Sequence, residues 1–348
     1  MHNASRRRTL KAGLGLGASA IALGASTVKA NTPKVTWRMQ ALWDGGTTPQ
    51  RFEEYFVKKV SDLTDGQFKI DLYSAGQLVP ANQAFDAVRG GAFQMMKTFD
   101  GYEAGKIPGL AFTSTIPFGF TEADQYEAWF YELGGLELAR EAYAPAGLFY
   151  IAPTVYGPEP IHSKVPIKSI ADLKGKKGRF VGLASTVMGH LGVSVTPMAT
   201  AEVYAGLDKG VIDLADRGDL SANLEAGLAE VAKYIVMPGP HQPTTATSYV
   251  ANKAAYDQLP DSFKAALATA ARDTSAALRQ HTLVSDGKAL EEFKKQGVEI
   301  TTLAPADIAA ARKEAVAVWR KATNDNPNAT KILDSQIAFM EQLGLLDK

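Results

Sequence analysis

One arginine in this sequence stands where an anion could be bound. Arg179 ends the hydrophilic run KGKKG (174–178), and an apolar, strand-like step, FV (180–181), follows it at once. A planar guanidinium fixed at the start of a strand can donate two parallel N–H···O hydrogen bonds to one carboxylate, which a lysine cannot imitate. A solvated turn whose arginine pairs with a surface aspartate fits the same residues. The spacing alone leaves both interpretations open.

Side chains for enzyme chemistry are scattered or missing. The chain has no cysteine, which excludes thiol nucleophiles, zinc–thiolate sites and iron–sulfur ligation by cysteine. It also has no phosphate-binding loop, no Gly-x-Ser-x-Gly elbow and no His-Glu-x-x-His pair. An ordinary surface or core role is favoured for each of the scattered histidines, which are His2, His162, His190, His241 and His281.

The first 30 residues predict an export leader. Adjacent arginines occur in SRRRTLK (5–11), an apolar stretch covers 12–25, and VKA (28–30) fits a small-residue cleavage site. This pattern predicts a twin-arginine signal peptide over residues 1–30, cleaved so that the mature chain begins near Asn31. A transmembrane anchor is disfavoured, because a bilayer span needs roughly 20 apolar residues. The glycine-rich GLGLGA (13–18) follows no strand, so we reject it as a dinucleotide loop.

The charge balance changes once the predicted leader is removed. The whole chain has 37 basic and 37 acidic residues, and the first 30 residues hold five of the basic ones and no acidic one. The predicted mature protein therefore keeps 32 basic residues and has a net charge of −5. A nucleic-acid or anionic-membrane binder is expected to show the opposite sign, or at least a basic stripe.

The pattern of apolar residues predicts two α/β lobes. In the first lobe, predicted strands at 35–42, 68–72 and 92–98 alternate with helices at 48–63 and 80–89. A helical segment over 123–143 follows, and predicted strands at 148–155, 178–181, 193–197 and 211–215 indicate a second lobe. Beyond them, one uninterrupted helix is predicted over 261–295 and two more over 305–345, broken around 324–327.

A chain of 348 residues exceeds the size at which one core usually suffices. The predicted division is a mainly N-terminal lobe over 31–150, a mainly C-terminal lobe over 151–255, and a final region over 256–348 whose long helix lies across both lobes. Two lobes place a cleft at their junction, where small-molecule sites are common. Hinge closure around a ligand is the natural motion of such a pair.

Several segments together resemble a known family. They are YEAGK (102–106), YGPE (156–159), ADLKGKKGR (171–179), EVYAGLDKGVID (202–213) and VAKYIVMPG (231–239). Their shared order and spacing resemble the extracytoplasmic solute-binding proteins of tripartite ATP-independent periplasmic (TRAP) transporters, the DctP-type family. The resemblance covers essentially the whole mature chain and is strongest to the subgroup that binds 2-oxo acids and related carboxylates.

The resemblance implies a function in transport. It implies a periplasmic protein with the two-lobed solute-binding fold, which captures a 2-oxo, 2-hydroxy or other monocarboxylate and delivers it to TRAP membrane subunits without an enzymatic step. A secreted enzyme or a ligand-sensing domain with the same carboxylate-binding cleft is the alternative. The resemblance also leaves open a homodimer formed through the C-terminal helices.

The resemblance also assigns site residues. The family arginine that holds the ligand carboxylate falls on Arg179, and the other pocket positions fall on Tyr102, Glu159, Asp216, Arg217 and Gln242. Cation-bearing relatives have an acidic residue followed by an aromatic one where this chain has Asp216-Arg217. This departure favours a site without a metal ion, in which Arg217 supplies the positive charge. A Na⁺ or Ca²⁺ ion held by Glu159, Asp216 and Gln242 is the alternative.

A buried arginine has an energetic consequence. An uncompensated buried guanidinium costs several kcal/mol, so we expect the lobes to stay apart until a carboxylate pairs with Arg179. Charge-assisted hydrogen bonds contribute about 1.5–3 kcal/mol each. A bidentate pair with one or two further contacts would then reach micromolar affinity, about −8 kcal/mol.

Overall fold

A computed structural model describes residues 34–347, and the predicted leader lies outside this range. The described residues form eleven strands: β1 (Val35–Gln40), β2 (Phe68–Tyr73), β3 (Met95–Thr98), β4 (Leu148–Tyr156), β5 (Ile161–Ser163), β6 (Lys177–Arg179), β7 (Ser194–Val195), β8 (Leu214–Ala215), β9 (Tyr234–Val236), β10 (Thr245–Asn252) and β11 (Glu299–Thr301).

The same part of the chain forms twelve α-helices: α1 (Thr48–Leu63), α2 (Ala84–Arg89), α3 (Ala123–Glu132), α4 (Gly135–Tyr143), α5 (Gly182–His190), α6 (Val203–Asp208), α7 (Leu220–Glu225), α8 (Leu228–Val231), α9 (Lys253–Asp257), α10 (Asp261–Lys295), α11 (Pro305–Ala322) and α12 (Pro327–Gln342). Short 3₁₀ turns supplement them, at Ala81–Gln83, Asp100–Glu103, Pro108–Phe112, Ala144–Ala146, Ile170–Leu173 and Thr200–Glu202. None of the helices in residues 34–347 combines the length and the apolarity needed to cross a bilayer.

The first sheet has the strand order β2-β1-β3-β10-β4. Strand β1 runs parallel to β2 and β3, as the alternation of strands and helices predicts. Strand β10 runs antiparallel to both β3 and β4. The expectation that residues 148–155 open the second sheet is therefore wrong. Strand β4 is buried along almost its whole length, so its sequence is apolar on both faces and does not indicate which sheet it joins.

The second sheet has the strand order β11-β9-β5-β8-β6-β7. Strand β6 runs parallel to β7 and β8. These three strands correspond to the predicted strands at 178–181, 193–197 and 211–215. Each is shorter than predicted, because two or three residues pair before the chain turns into a loop or helix. Strands β5, β9 and β11 are three residues long and carry too short a pattern to be recognised in the sequence.

Helix α10 spans 35 residues and contacts both sheets. It packs on α1 and β4 at the first sheet, and on α7 and β11 at the second. The prediction of one long helix across an α/β protein with two lobes is confirmed. The predicted helix over 123–143 is instead two helices, α3 and α4. Gly134 breaks them apart with a φ of 80°, a left-handed conformation that glycine adopts without steric cost.

Candidate functional site

A cavity of about 1000 Å³ is lined by residues of both lobes. Ala41 and Phe99 contribute from positions directly after β1 and β3, and Phe180 follows β6 in the same way. These positions are the carboxyl ends of parallel strands. Ligand sites in open α/β sheets form at this edge. The cavity is therefore the candidate functional site.

Strand register brings Arg179 and Asp216 together. Arg179 is the last residue of β6 and pairs with Ala215 of the parallel strand β8. The residue after Ala215 is Asp216, so both functional side chains leave the sheet at the same edge. Arg179 lines the cavity although only 3% of its surface is exposed.

The guanidinium of Arg179 has a carboxylate partner within the protein. Its Nη1 donates to Asp216 Oδ1 at 2.5 Å and to the Asp216 backbone oxygen at 3.1 Å. Its Nε and Nη2 donate to the Met198 backbone oxygen and to Thr200 Oγ1, both at 3.2 Å. Burial opposes the charge, but Asp216, together with Tyr102 and Glu159, raises the pKa of Arg179 overall. The expectation of an uncompensated guanidinium is wrong.

Asp216 is fully buried and lies behind Arg179 rather than in the cavity lining. Burial raises the pKa of Asp216, but its Oδ1 accepts a hydrogen bond from a guanidinium that keeps its proton, so we take the pair as ionised. The other oxygen, Oδ2, has no hydrogen-bond partner among the described residues and lies 3.7 Å from Nε2 of His241. Burial and the Arg179 charge lower the pKa of His241 to about 3, so this imidazole is neutral.

Glu159 and Gln242 form a second buried pair, and both line the cavity. Glu159 accepts hydrogen bonds from the Tyr156 hydroxyl at 2.8 Å and from Gln242 Nε2 at 2.9 Å. The Glu159 backbone N–H donates to the backbone oxygen of Gln242 at 3.0 Å. Burial, and after it the charge of Asp216, raises the pKa of Glu159 to about 8. Glu159 is therefore mainly protonated at neutral pH.

Tyr102 and Arg217 complete the set of predicted residues. Tyr102 lies in the 3₁₀ turn after β3, and 50% of its surface is exposed, as expected for a side chain that lines an open cleft. Burial of its hydroxyl end raises its pKa. Arg217 is half-buried in the cavity wall and donates to the Ala222 oxygen at 3.3 Å. Arg217 forms no ion pair with any described residue.

The structure thus brings five of the six predicted residues to one cavity and puts the sixth, Asp216, directly behind them. Sequence reasoning missed His241, which it treated as an ordinary histidine, and Thr200, which contacts Arg179. The position of His241 next to Gln242 was the available signal for it. For Thr200 we find no signal in the sequence, because its contact depends on how the loop after β7 folds back.

The model of the family described as bacterial extracellular solute-binding protein, family 7 (DctP), matches residues 42–326. The chain belongs to this family. The family assignment that the sequence motifs predicted is therefore confirmed. This family 7 protein is 30% identical over 319 residues to the monocarboxylate 2-oxoacid-binding periplasmic protein of Nostoc sp., an alignment that covers 91% of this chain and 87% of the relative.

Two solved structures share the fold of this family 7 protein. A TRAP transporter solute-binding protein from Bordetella bronchiseptica is 27% identical, with a TM-score of 0.82 over 90% of this chain and 94% of that one. It is a dimer of mixed occupancy with calcium and picolinate bound. A TRAP periplasmic solute-binding protein from Pseudoalteromonas atlantica is 28% identical, with a TM-score of 0.81 over 89% and 95% of the two chains, and has bound sodium and pyruvate.

The cations in these relatives raise the question of whether the present residues fit one. Both oxygens of Glu159 and one oxygen of Asp216 already accept hydrogen bonds from protein groups. The remaining buried acceptors of the candidate set are Asp216 Oδ2 and Gln242 Oε1. Residues 34–347 contain no cluster of three or more His, Cys, Asp or Glu side chains able to hold a metal ion. Because Ca²⁺ takes about six to eight oxygen ligands, the side chains of this set do not complete a calcium site by themselves.

Proposed function

We propose that this protein captures a small organic acid in the cleft and delivers it to the membrane subunits of a TRAP transporter. The first candidates are 2-oxo, 2-hydroxy and other monocarboxylates. The observation that carries the proposal is the pair of guanidinium groups in the cavity wall. Arg179 and Arg217 both line the cavity, and Arg217 has no ion-pair partner among the described residues. Glu159, being mainly protonated, adds little negative charge beside them.

Arg179 provides the anchor for the carboxylate. Asp216 holds Nη1 and so fixes the plane of the guanidinium. The opposite edge, Nε and Nη2, donates only to two neutral oxygens at 3.2 Å, those of Met198 and Thr200. A ligand carboxylate that replaces these two contacts exchanges neutral acceptors for charged ones, which form hydrogen bonds about twice as strong. Because the anchor needs no chemical step, the cargo leaves unchanged.

Lobe closure follows from the same exchange. The segment 197–201 lines the cavity, so a ligand that takes the place of the Met198 and Thr200 contacts also changes how this segment packs. A ligand shifts a conformational equilibrium only by its differential affinity for the two states. We propose that the closed state is favoured because it brings Tyr102 of the first lobe to the carboxylate that Arg179 and Arg217 of the second lobe hold.

The location belongs to the same proposal. The family is described as extracellular, and the pattern of residues 1–30 supports export to the periplasm by the twin-arginine pathway. Mass spectrometry of the exported protein should find an N-terminus near Asn31. Retention of residues 1–30 in the exported protein would contradict cleavage.

A ligand panel tests the function. We expect at least one of pyruvate, 2-oxobutyrate, lactate, picolinate and benzoate to raise the melting temperature by about 3–5 °C at one hundred times its Kd. Mass spectrometry of the released ligand should find it unchanged, which separates binding from an enzymatic reaction. If no carboxylate raises the melting temperature, the proposal is wrong. If the ligand is converted, the secreted-enzyme alternative is favoured.

The cation question has a separate test. We propose that Arg217 supplies the positive charge that a metal ion supplies in some relatives, since both groups neutralise a bound carboxylate. Dialysis against EDTA in sodium-free buffer should then leave the Kd of the tightest carboxylate within about twofold, and elemental analysis of the dialysed protein should find less than about 0.1 ion per chain. A loss of affinity that added Ca²⁺ or Na⁺ restores would overturn this assignment.

A further inference from the structure

A hydrogen bond between side chains joins the two lobes. The hydroxyl of Thr48, the first residue of α1, donates to Oε1 of Glu225, the last residue of α7, at 3.2 Å. Helix α1 packs on β2 of the first sheet, whereas α7 follows β8 of the second. Between residues 35–156 and 161–236, as the structure describes them, no other contact has the distance and the angles of a hydrogen bond, and no ion pair joins the two ranges.

This contact lies at the rim of the ligand cavity. Glu225 lines the cavity and is exposed to solvent, whereas Thr48 is buried. The residues on either side of Thr48, which are Thr47 and Pro49, also line the cavity. The bond therefore closes one side of the opening between the lobes.

The Thr48 hydroxyl connects a cation to an anion. Arg51 Nη2 donates to Thr48 Oγ1 at 2.5 Å, so the hydroxyl proton remains available for Glu225. Arg51 forms no ion pair with any described residue, and its Nη1 donates to the Gly46 backbone oxygen at 3.2 Å. Hydrogen bonds with an ionised partner are stronger than neutral ones, and successive bonds in a chain polarise one another. A hydroxyl with a charged group on both sides therefore holds the lobes more firmly than a neutral pair would.

Glu225 also supplies negative charge at the beginning of α1. This helix of 16 residues has no acidic residue in its first turn and no side-chain hydrogen bond from its N-cap, Thr47. The first N–H groups of a helix lack partners within it and carry a partial positive charge, which a nearby carboxylate stabilises. The Glu225 carboxylate, which contacts Thr48 at this end, belongs to the opposite lobe. The stabilisation therefore exists only while the lobes are together.

The charges around this contact are complementary between the lobes. Asp44 lies in the loop before α1, and Arg217 lies in the segment before α7. Burial lowers the pKa of Arg217, and among the charged groups that oppose this effect Asp44 is the strongest. The first lobe thus presents Asp44 and Arg51 where the second presents Arg217 and Glu225. Each lobe offers an anion to a cation of the other, which favours the approach of the two surfaces.

We infer that Arg51, Thr48 and Glu225 form an interlobe latch, which holds the cleft closed over a bound carboxylate and sets how slowly that carboxylate leaves. This inference rests on the proposed function and adds to it a determinant of the residence time of the cargo. The cargo enters while the lobes are apart and the latch is open. Loss of the latch therefore destabilises the closed state alone, which raises the dissociation rate constant, koff, and leaves the association rate constant, kon, almost unchanged.

Stopped-flow fluorescence measures both rate constants, since Trp43 lines the cavity. The probe is whichever of the five panel carboxylates binds the full mature protein most tightly. We expect Thr48→Val and Glu225→Ala each to raise koff about three- to tenfold, with kon within about twofold. The double variant should exceed the larger single effect by no more than about twofold, because both changes break one chain of hydrogen bonds. Thr48→Ser keeps the hydroxyl and should retain the wild-type koff.

The matched control is Glu230→Ala. Glu230 is an exposed carboxylate of the same lobe, but it accepts its hydrogen bond from the Tyr204 hydroxyl, at 2.7 Å, within that lobe. Its removal should change neither rate constant. A rise in koff equal to that of Glu225→Ala would show an effect of net charge and overturn the latch.

The results separate the latch from the proposed function. If the wild type binds a carboxylate and neither Thr48→Val nor Glu225→Ala raises koff more than about twofold, the latch is overturned and the proposed function stands. A double variant whose effect is the product of the single effects, or a change in kon alone, also overturns the latch. A wild type that binds none of the five carboxylates overturns both. If circular dichroism finds Thr48→Val unfolded, Glu225→Ala decides, since Glu225 is exposed.

Discussion

Replacing both members of the buried ion pair, in the variant Arg179→Met/Asp216→Asn, should leave the protein folded and weaken carboxylate binding at least about a hundredfold. The affinity falls because the ligand loses two charge-assisted hydrogen bonds, worth about 1.5–3 kcal/mol each. The fold survives because no unpaired charge stays buried, and exchanging a whole buried ion pair for neutral groups is often close to neutral in stability. Isothermal titration and urea unfolding measure the two effects separately.

The single variant distinguishes the roles of the two residues. Arg179→Met alone leaves the Asp216 carboxylate buried beside a neutral His241, so it should lower the free energy of unfolding by about 3–5 kcal/mol. The matched control is Arg320→Met/Asp334→Asn, which removes an exposed ion pair between α11 and α12 and should change neither quantity. A double variant that binds the ligand within tenfold of the wild type would contradict the role of Arg179 as anchor.

The elements that the sequence predicts well are those set by local patterns. Helix α10 occupies the predicted residues 261–295, since a long run without proline has few alternatives to a helix. The interior Gly287 costs only about 1 kcal/mol in a helix and does not end it. Strand β4 belongs to the first sheet, and not to the second as predicted, because it pairs with β10, which comes about 90 residues later in the chain. No local pattern carries a pairing over that distance.

The site shows the same contrast between residues that local patterns indicate and contacts that depend on long-range pairing. The sequence indicates Arg179 and Asp216 as site residues, but their ion pair depends on the register between β6 and β8, which lie 37 residues apart at this point. Without knowledge of the register between β6 and β8, the sequence predicts that Arg179 has no carboxylate partner within the protein. Lys97, a buried lysine in the cavity wall, is missed for a related reason, because a lysine between Met96 and Thr98 is typical of the solvent face of a strand. Only the folded chain places it against Tyr249 and Thr154.

The protonation of Glu159 gives ligand binding a pH dependence. The pKa of Glu159 is raised from an ordinary value of 4.5 to about 8, so the folded protein keeps this proton at a pH where the unfolded chain has lost it. The unfolded state then binds fewer protons, and the contribution of Glu159 to stability falls as the pH rises through that window. Near pH 8 the carboxyl ionises within a cavity that also holds the anionic ligand.

We therefore expect the Kd of the tightest monocarboxylate of the panel to rise about tenfold between pH 7 and pH 9.5. Two like charges about 10 Å apart at an effective dielectric constant of ~20 repel by on the order of 1–2 kcal/mol, and the ligand itself stays ionised throughout. Glu159→Gln should reduce the change to less than about threefold. Lys97, whose pKa is lowered to about 8, also titrates in this range, so Lys97→Met should retain the dependence if Glu159 causes it. A Glu159→Gln protein with the full wild-type pH profile would show that another group is responsible.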